Sequence, residues 1–393
     1  MSAPSSSRIL LIGALAIIVA VLVLLAEQPQ GAPSQERPEA SQVANIAATY
    51  EPQQEDASRS EIEQAPAPPP PPETPKVSEE PVAPLSSPTP DASVSSVIRI
   101  QNPYPTPPQS FLTINENTRL ALVNILCVPE DAGLHATSGS GVIIDSRGVI
   151  LTNAHVAQYV LLSQSERTNL SCVVRASAPA QIIGSVDVLY IPPIWIEKHA
   201  AEITEESPLG TGEHDYALLR ITKLPDSRTT LPSAFPSLPI DTREAIGFPG
   251  DSVLAASYPS EFVSARATAF NLYPASSITS VKGLLTFENS VDLLSLAGVQ
   301  EAQSGSSGGA VVNAWGFLIG IITTTSEGST TAEREMRALT LSYIDGDMRT
   351  QSGAGIVQFL GEDTITLAER FKNTHENTLV ELLIAEIEKR YNR

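Results

Sequence analysis

Hydrophobic residues follow three patterns along the chain. An uninterrupted apolar run covers residues 9–26. From about Phe111, short runs of Val, Ile, Leu and Thr alternate with turns rich in Gly, Pro, Asn, Asp and Ser, and about ten or eleven such runs predict an all-β sandwich or pair of barrels. After Asp345, apolar residues recur at helical spacing and predict one or two helices; they include Leu379, Leu382, Leu383 and Ile387.

The first apolar run is long enough to cross a membrane. A helix rises about 1.5 Å per residue, so about 18 residues span about 27 Å, which is the thickness of a bilayer core. Arg8 precedes the run and Glu27 and Glu36 follow it, so the positive-inside rule predicts a cytoplasmic N-terminus. The alternative is a cleaved signal peptide, but such peptides have shorter apolar regions and end in a better cleavage site. We predict an uncleaved single-pass transmembrane helix.

The segment after this run has the composition of a spacer. The chain contains 32 prolines but only 9 Phe and 9 Tyr, and the stretch APAPPPPPETPKVSEEPVAPLSSPTP has no helical or alternating period. It predicts a disordered, extended linker of about 80 residues that reaches at most about 250 Å. The expected domains are therefore an anchor at 1–27, a proline-rich linker at 28–110, a β-rich domain at 111–350 and a helical extension at 351–393.

Charge and cysteine usage narrow the possible functions. The chain carries 24 Lys and Arg against 44 Asp and Glu, a formal net charge of −20, so nucleic acid is not an expected partner. The two cysteines, Cys127 and Cys172, lie in apolar, strand-like runs. They show neither CxxC nor Cys/His metal spacing, so we expect no metal and no cofactor. Outside the membrane they could form a disulfide, or they could remain two buried thiols.

The stretch EAQSGSSGGAVVN, residues 301–313, has the construction of a nucleophile loop. A nucleophilic serine needs an exposed hydroxyl and backbone N–H groups aimed at the developing oxyanion. Glycines permit the required backbone angles, and the apolar strand that follows holds the loop rigid. Gly305–Gly309 also matches the G-x-S-x-G elbow of α/β-hydrolases. That elbow precedes a helix and a later histidine, whereas here a strand follows and His375 lies in the predicted C-terminal helices, so the elbow interpretation is rejected.

Two further blocks supply a base and a carboxylate. The chain has five histidines, namely His135, His155, His199, His214 and His375. His155 follows SGVIIDSRGVILTNA, which predicts a strand, a turn and a second strand, so its imidazole lies on a rigid frame. Asp215 opens the apolar strand of HDYALLRI, where its carboxylate could orient an imidazole.

The blocks GVILTNAHV, HDYALLRI and GSSGGAVVN together resemble the signature blocks of chymotrypsin-like serine proteases, most closely the bacterial HtrA-type and glutamyl-endopeptidase-like branch. The resemblance implies two six-stranded β-barrels across about 111–350. It also implies Ser307 as nucleophile, His155 as general base, Asp215 as the carboxylate that orients it, and an oxyanion hole formed by the N–H groups of Gly305 and Ser307. Ser306 could compete as nucleophile on sequence alone, but the family pattern x-Ser-Gly-Gly selects Ser307.

The resemblance has further implications and some departures. Ser306 stands where vertebrate-type members carry Asp, so we expect no activation cut of that kind. Residues 351–393 are too few for the PDZ domain of HtrA-type members, so we expect none. In the resembling fold Cys127 and Cys172 lie on neighbouring strands, the first and fourth of barrel one, which favours a disulfide. Glu301 lies six residues before the nucleophile and could line a pocket that prefers Lys or Arg, or it could be a solvated loop residue.

The sequence thus predicts a membrane-anchored serine endopeptidase with polypeptide substrates and an N-terminal helix in the membrane. The protease domain would face outward, at a bacterial cell surface or in the periplasm. The alternative is a catalytically inactive protease-fold module that binds a partner from a cell-surface stalk.

Overall fold

The computed structural model describes residues 102–129, 134–205, 211–223, 230–244, 247–260, 268, 271–287, 291–297, 304–325 and 335–391. All of them belong to one compact unit, residues 81–393. No helix within these ranges is both long and apolar enough to cross a membrane. The predicted anchor and most of the predicted linker lie outside the described residues.

The first barrel is a closed antiparallel sheet of six strands in the order β1-β2-β3-β6-β5-β4. Its strands are β1 (Leu122–Pro129), β2 (Thr137–Asp145), β3 (Val149–Thr152), β4 (Leu170–Ala176), β5 (Gln181–Tyr190) and β6 (Ala217–Thr222). Helix α1 (Phe111–Ala121) precedes it. Between its strands lie α2 (Ala154–Ser163), α3 (Pro193–His199) and the 3₁₀ turn Ala200–Thr204. Strand β3 is wholly buried, so it fixes the segment that follows it.

The second barrel is also a closed antiparallel sheet of six strands, in the order β10-β11-β12-β9-β8-β7. Its strands are β7 (Ser252–Ser257), β8 (Ala275–Leu285), β9 (Leu293–Leu296), β10 (Ala310–Asn313), β11 (Leu318–Thr325) and β12 (Met336–Thr340). Strand β10, which follows the predicted nucleophile, is fully buried between β7 and β11. The predicted pair of six-stranded barrels is confirmed.

The C-terminal region is helical, as predicted, but it contains more helices than expected. These are α4 (Leu341–Ser352), α5 (Ile356–Leu360), α6 (Thr364–Phe371), a π turn at Lys372–Glu376, and α7 (Asn377–Tyr391). Helix α4 packs on β11 and β12 of the second barrel, and α6 packs on β5 of the first. Helix α7 packs on the 3₁₀ turn and on α2 and α3, which lie between strands of the first barrel. The stretch ALTLSYI resembles one strand, but the strand ends at Thr340 because the hydroxyl of Thr340 accepts from the N–H of Tyr343, 3.1 Å away, and caps α4.

The end of the predicted linker lies against the second barrel instead of extending away from it. The Tyr104 ring stacks on Phe317 with 4.4 Å between centroids, and its hydroxyl bonds to Asp241. Further along, the indole N–H of Trp315 donates to the Thr106 carbonyl, 2.9 Å away. Residues 102–110 therefore form a strap that contacts the β10–β11 turn. The Tyr104 side chain holds the strap, because its ring packs on an aromatic residue and its hydroxyl bonds to a carboxylate.

A disulfide joins Cys127 and Cys172, as the resemblance implied. The two residues are directly opposite each other in the pairing of β1 with β4, and both are buried. The bond therefore links the first and fourth strands of the first barrel.

Candidate active site

His155 lies in the first turn of α2, directly after β3. Asn153 is extended and ends the strand, and its side-chain amide donates to the Asp215 carbonyl at 2.8 Å. The first N–H groups of a helix have no partner within the helix, and the backbone N–H of His155 donates to Asp215 Oδ1 at 2.9 Å. The positive end of the helix and the carboxylate thus stabilise each other.

The Asp215 carboxylate is buried and receives hydrogen bonds from three directions. Besides the His155 backbone, His155 Nδ1 lies 2.8 Å from Oδ2, and Thr323 Oγ1 donates to Oδ2 at 2.8 Å. Burial raises the pKa of Asp215, but the His155 charge and hydrogen bonds, aided by Thr323, outweigh burial and lower the pKa below its ordinary value. The group therefore remains an anion inside the protein.

The imidazole of His155 is held in a defined tautomer. A carboxylate only accepts hydrogen bonds, so Nδ1 carries the proton and Nε2 holds the lone pair when the ring is neutral. Burial lowers the pKa of His155, but the charge and hydrogen bond of Asp215 outweigh burial and raise the pKa above 6.5. With 27% of its side chain exposed, the ring is accessible from outside.

The loop that carries Ser307 is fixed between the two barrels. The N–H of Ser140, on β2, donates to the Ser307 carbonyl at 2.8 Å, and the Ser140 hydroxyl donates to the Gly305 carbonyl at 2.7 Å. A Cβ on Gly308 would lie 2.1 Å from the Ser140 carbonyl and 2.4 Å from Thr152 Oγ1, so only glycine fits this close approach. The loop therefore lies against the strand end from which His155 projects.

The structure distinguishes the two neighbouring serines. Ser306 is 1% exposed, and its hydroxyl accepts from Ser257 Oγ at 3.0 Å. Ser307 is half-buried and so is partly accessible. Ser306 is thus occupied inside the protein, whereas Ser307 is the serine of the pair that a substrate can reach.

The predicted site residues are brought together to different degrees. His155 and Asp215 are in direct contact, but among the described residues no hydrogen bond joins Ser307 Oγ to the imidazole. The N–H groups of Gly305 and Ser307 likewise have no acceptor within the described ranges. Glu301 lies outside the described residues, so its role in specificity stays a prediction.

Thr323 is a site residue that sequence reasoning missed. It lies on β11, in the second barrel, and its hydroxyl bonds to the carboxylate that precedes β6 in the first. The stretch TTT at 323–325 carries no sequence signal that selects one threonine. In the part of the chain that the structure describes, no group of three or more His, Cys, Asp or Glu residues could hold a metal ion.

Two closed six-stranded barrels with an imidazole–carboxylate pair at their junction define the chymotrypsin-like class. Residues 139–321 match the family model of the trypsin-like peptidase domain. The family prediction is confirmed. No curated protein sequence matches the chain.

Solved structures of proteases also resemble this one. They include the serine endoprotease from Yersinia pestis (21% identity, 63% of this chain and 70% of that chain covered, TM-score 0.38). The HtrA-type protease AlgW with tripeptide is 19% identical, with 63% and 65% covered and a TM-score of 0.40. Deg5 is 17% identical, with 61% and 90% covered and a TM-score of 0.39.

Proposed function

We propose that this chain is a serine endopeptidase that hydrolyses peptide bonds through Ser307, His155 and Asp215. The observation that supports this most strongly is the 2.8 Å contact between His155 Nδ1 and the buried Asp215 carboxylate, beside the glycine-rich loop of Ser307. An imidazole oriented in this way is suited to remove a proton from a hydroxyl. Polypeptides are the substrates that the family implies.

The proposed reaction has two halves. Ser307 Oγ attacks the carbonyl carbon of the substrate, and its proton passes to His155 Nε2. The C–N bond then breaks, the leaving amine takes that proton, and an acyl-enzyme remains. Water attacks the acyl carbon with the same imidazole as base, which releases the carboxylic acid and restores the serine. Asp215 holds the tautomer and stabilises the imidazolium.

The N–H groups of Gly305 and Ser307 are proposed to stabilise the oxyanion. Gly305 has a φ of +89°, and a Cβ there would lie 2.4 Å from Ser260 Oγ and 2.8 Å from the Tyr258 carbonyl. The Ser140 hydroxyl also holds the Gly305 carbonyl. Such constraints preorganise a donor, and the loss of one oxyanion donor typically costs about 3 kcal/mol of transition-state stabilisation.

We also propose that residues 9–26 anchor the protein in a bacterial membrane, with the protease domain at the cell surface or in the periplasm. The apolar run and the charges around it support this arrangement. The disulfide between Cys127 and Cys172 is in keeping with it, because such bonds persist in oxidising compartments. The resemblance of the three sequence blocks supports an HtrA-like branch.

The nucleophile is tested by comparing Ser307→Ala with Ser306→Ala. Ser307→Ala should abolish cleavage of denatured casein and labelling by a fluorophosphonate probe, because the attacking oxygen is gone. Ser306→Ala removes the neighbouring hydroxyl and should retain labelling at Ser307. Melting temperatures show that both variants fold, and mass spectrometry locates the label.

The outcomes also separate the proposal from an inactive binding module. Cleavage by Ser307→Ala, with the unaltered chain equally active, would refute the nucleophile assignment. If the folded, unaltered chain neither cleaves casein nor takes the label, the chain is a binding module and the enzyme proposal fails.

A further inference from the structure

We propose that helix α4 positions the Asp215 carboxylate through His214, with Asp347 and Tyr343 as positioning residues. This inference rests on the proposed function, since it concerns the carboxylate assigned to the catalytic triad. The contact between His214 and Asp347 joins α4, which packs on the second barrel, to the turn that precedes β6 of the first barrel.

His214 is held in an unusual backbone conformation. Its φ is +58°, in the left-handed region that a non-glycine residue rarely occupies. Left-handed angles are strained for such a residue, so surrounding contacts must maintain them. Only 10% of the His214 side chain is exposed, which places those contacts inside the protein.

Helix α4 supplies two of these contacts. His214 Nδ1 lies 2.9 Å from Asp347 Oδ2, and the backbone N–H of His214 donates to the Tyr343 hydroxyl at 3.0 Å. Tyr343 and Asp347 are one helical turn apart and therefore face the same way. The Asp347 side chain is only 8% exposed, so water competes weakly for the imidazole.

The helix itself is a rigid platform. Its N-terminus is capped by the Thr340 hydroxyl, which accepts from the N–H of Tyr343 at 3.1 Å. The Tyr343 ring packs edge-on against Phe287, with 5.2 Å between centroids. Tyr343 is thus fixed at its backbone and at its ring, and its hydroxyl is a fixed acceptor for the turn.

A displacement of His214 would be transmitted directly to Asp215. The two residues share a peptide bond in a tight turn, in which the Asp215 N–H donates to the Gly212 carbonyl at 3.1 Å and the Tyr216 N–H donates to the His214 carbonyl at 2.9 Å. At the end of this turn, Asp215 Oδ2 lies 2.8 Å from His155 Nδ1. A misplacement of about 1 Å in such a site can lower a rate by about 100-fold.

The test uses the full chain with Asp347→Ala, Asp347→Asn and Tyr343→Phe. Active sites are titrated with a fluorophosphonate probe, and kcat per titrated site and KM are measured on a short peptide. Asp347→Ala should lower kcat per site by about 10- to 100-fold with KM within about twofold, because the base is misplaced but the substrate pocket is not. Asp347→Asn keeps an acceptor oxygen for Nδ1–H and should recover much of the loss.

Asp345→Ala is the matched control on the same helix. Asp345 is buried, but it bonds to the N–H of Ile356 and to Arg349, away from His214. Its loss should lower the melting temperature and leave kcat per site unchanged. Unchanged kcat per site in Asp347→Ala and Tyr343→Phe, or an equal loss in Asp345→Ala, would overturn the inference while the protease proposal stands. If the unaltered chain shows neither turnover nor labelling, both the positioning role of α4 and the protease function are refuted.

Discussion

At the scale of single residues, the proposed chemistry depends on how Asp215 is held. Its carboxylate takes both the backbone and ring N–H of His155, and Thr323 adds a donor from the other barrel. Charge-assisted hydrogen bonds of this kind are shorter and stronger than neutral ones. The imidazole is therefore fixed in orientation and tautomer before any substrate arrives, which is what a general base requires.

The pKa of His155 gives a prediction for the pH dependence of activity. Below that pKa the ring is an imidazolium, which cannot accept a proton; above it the neutral ring can. Because Asp215 raises the pKa of His155, the acidic limb of kcat/KM should have its midpoint above 6.5, with activity rising as pH rises through it. Peptide hydrolysis measured from pH 5 to 9 gives the midpoint.

The fluorophosphonate labelling rate is the control for this profile, since it reports the same base without substrate binding. Both profiles should rise through the same midpoint. A flat profile, or a midpoint at or below 6.5 in both, would contradict the direction of the shift.

At the scale of elements, the disulfide closes the first barrel across the pairing of β1 with β4. Cys127 and Cys172 are 45 residues apart in sequence, and in the chain-entropy view a cross-link of this loop length stabilises by at most about 4 kcal/mol. The double variant Cys127→Ala/Cys172→Ala should therefore lose about 2–4 kcal/mol of unfolding free energy, because its unfolded chain is less restricted. Urea denaturation measures the midpoint and the slope.

The unaltered chain in excess reductant is the companion sample, and its midpoint should fall toward that of the double variant. Equal midpoints for the oxidised chain and the double variant would show that the cross-link contributes nothing to stability.

Elements also differ in how far the sequence predicts them. Ser307, His155 and Asp215 each lie in a short block whose glycines or apolar strand carry a local signal. These blocks predicted that His155 and Asp215 would meet, and their resemblance to a known family implied the two six-stranded barrels. Thr323 is one of three successive threonines, and only the tertiary fold brings it to Asp215.

Contacts between residues that are far apart in the sequence could not be predicted for the same reason. Tyr104 is a lone aromatic residue at the end of a proline-rich stretch, and nothing local reveals that it stacks on Phe317. His214 and Asp347 are 133 residues apart, so their pairing depends on the packing of α4. Local patterns predict elements, whereas the partners of buried polar groups are set by packing between elements.

At the scale of the whole molecule, the proposed design separates attachment from chemistry. The strap at 102–110 lies against the β10–β11 turn, and β10 leads back to the loop of Ser307. A tether attached at the strap would therefore join the domain at the end of β10 opposite the loop of Ser307. On this proposal the chemistry needs no contact with the membrane, because His155, Asp215 and Thr323 all come from the barrels and the turns and helices between them.

Deletion of residues 1–27 tests this separation. If the apolar run is an uncleaved anchor, the full chain should pellet with membranes and resist carbonate extraction, whereas the truncated chain should stay in solution with the same kcat/KM on a peptide. A chain that keeps residues 1–27 but lacks residues 38–72 of the linker is the control and should still pellet. Mass spectrometry of the mature N-terminus distinguishes the anchor from a cleaved signal peptide, because cleavage would leave a chain that starts near residue 27. In the fractionation, an untruncated chain that stays in solution would refute the anchor.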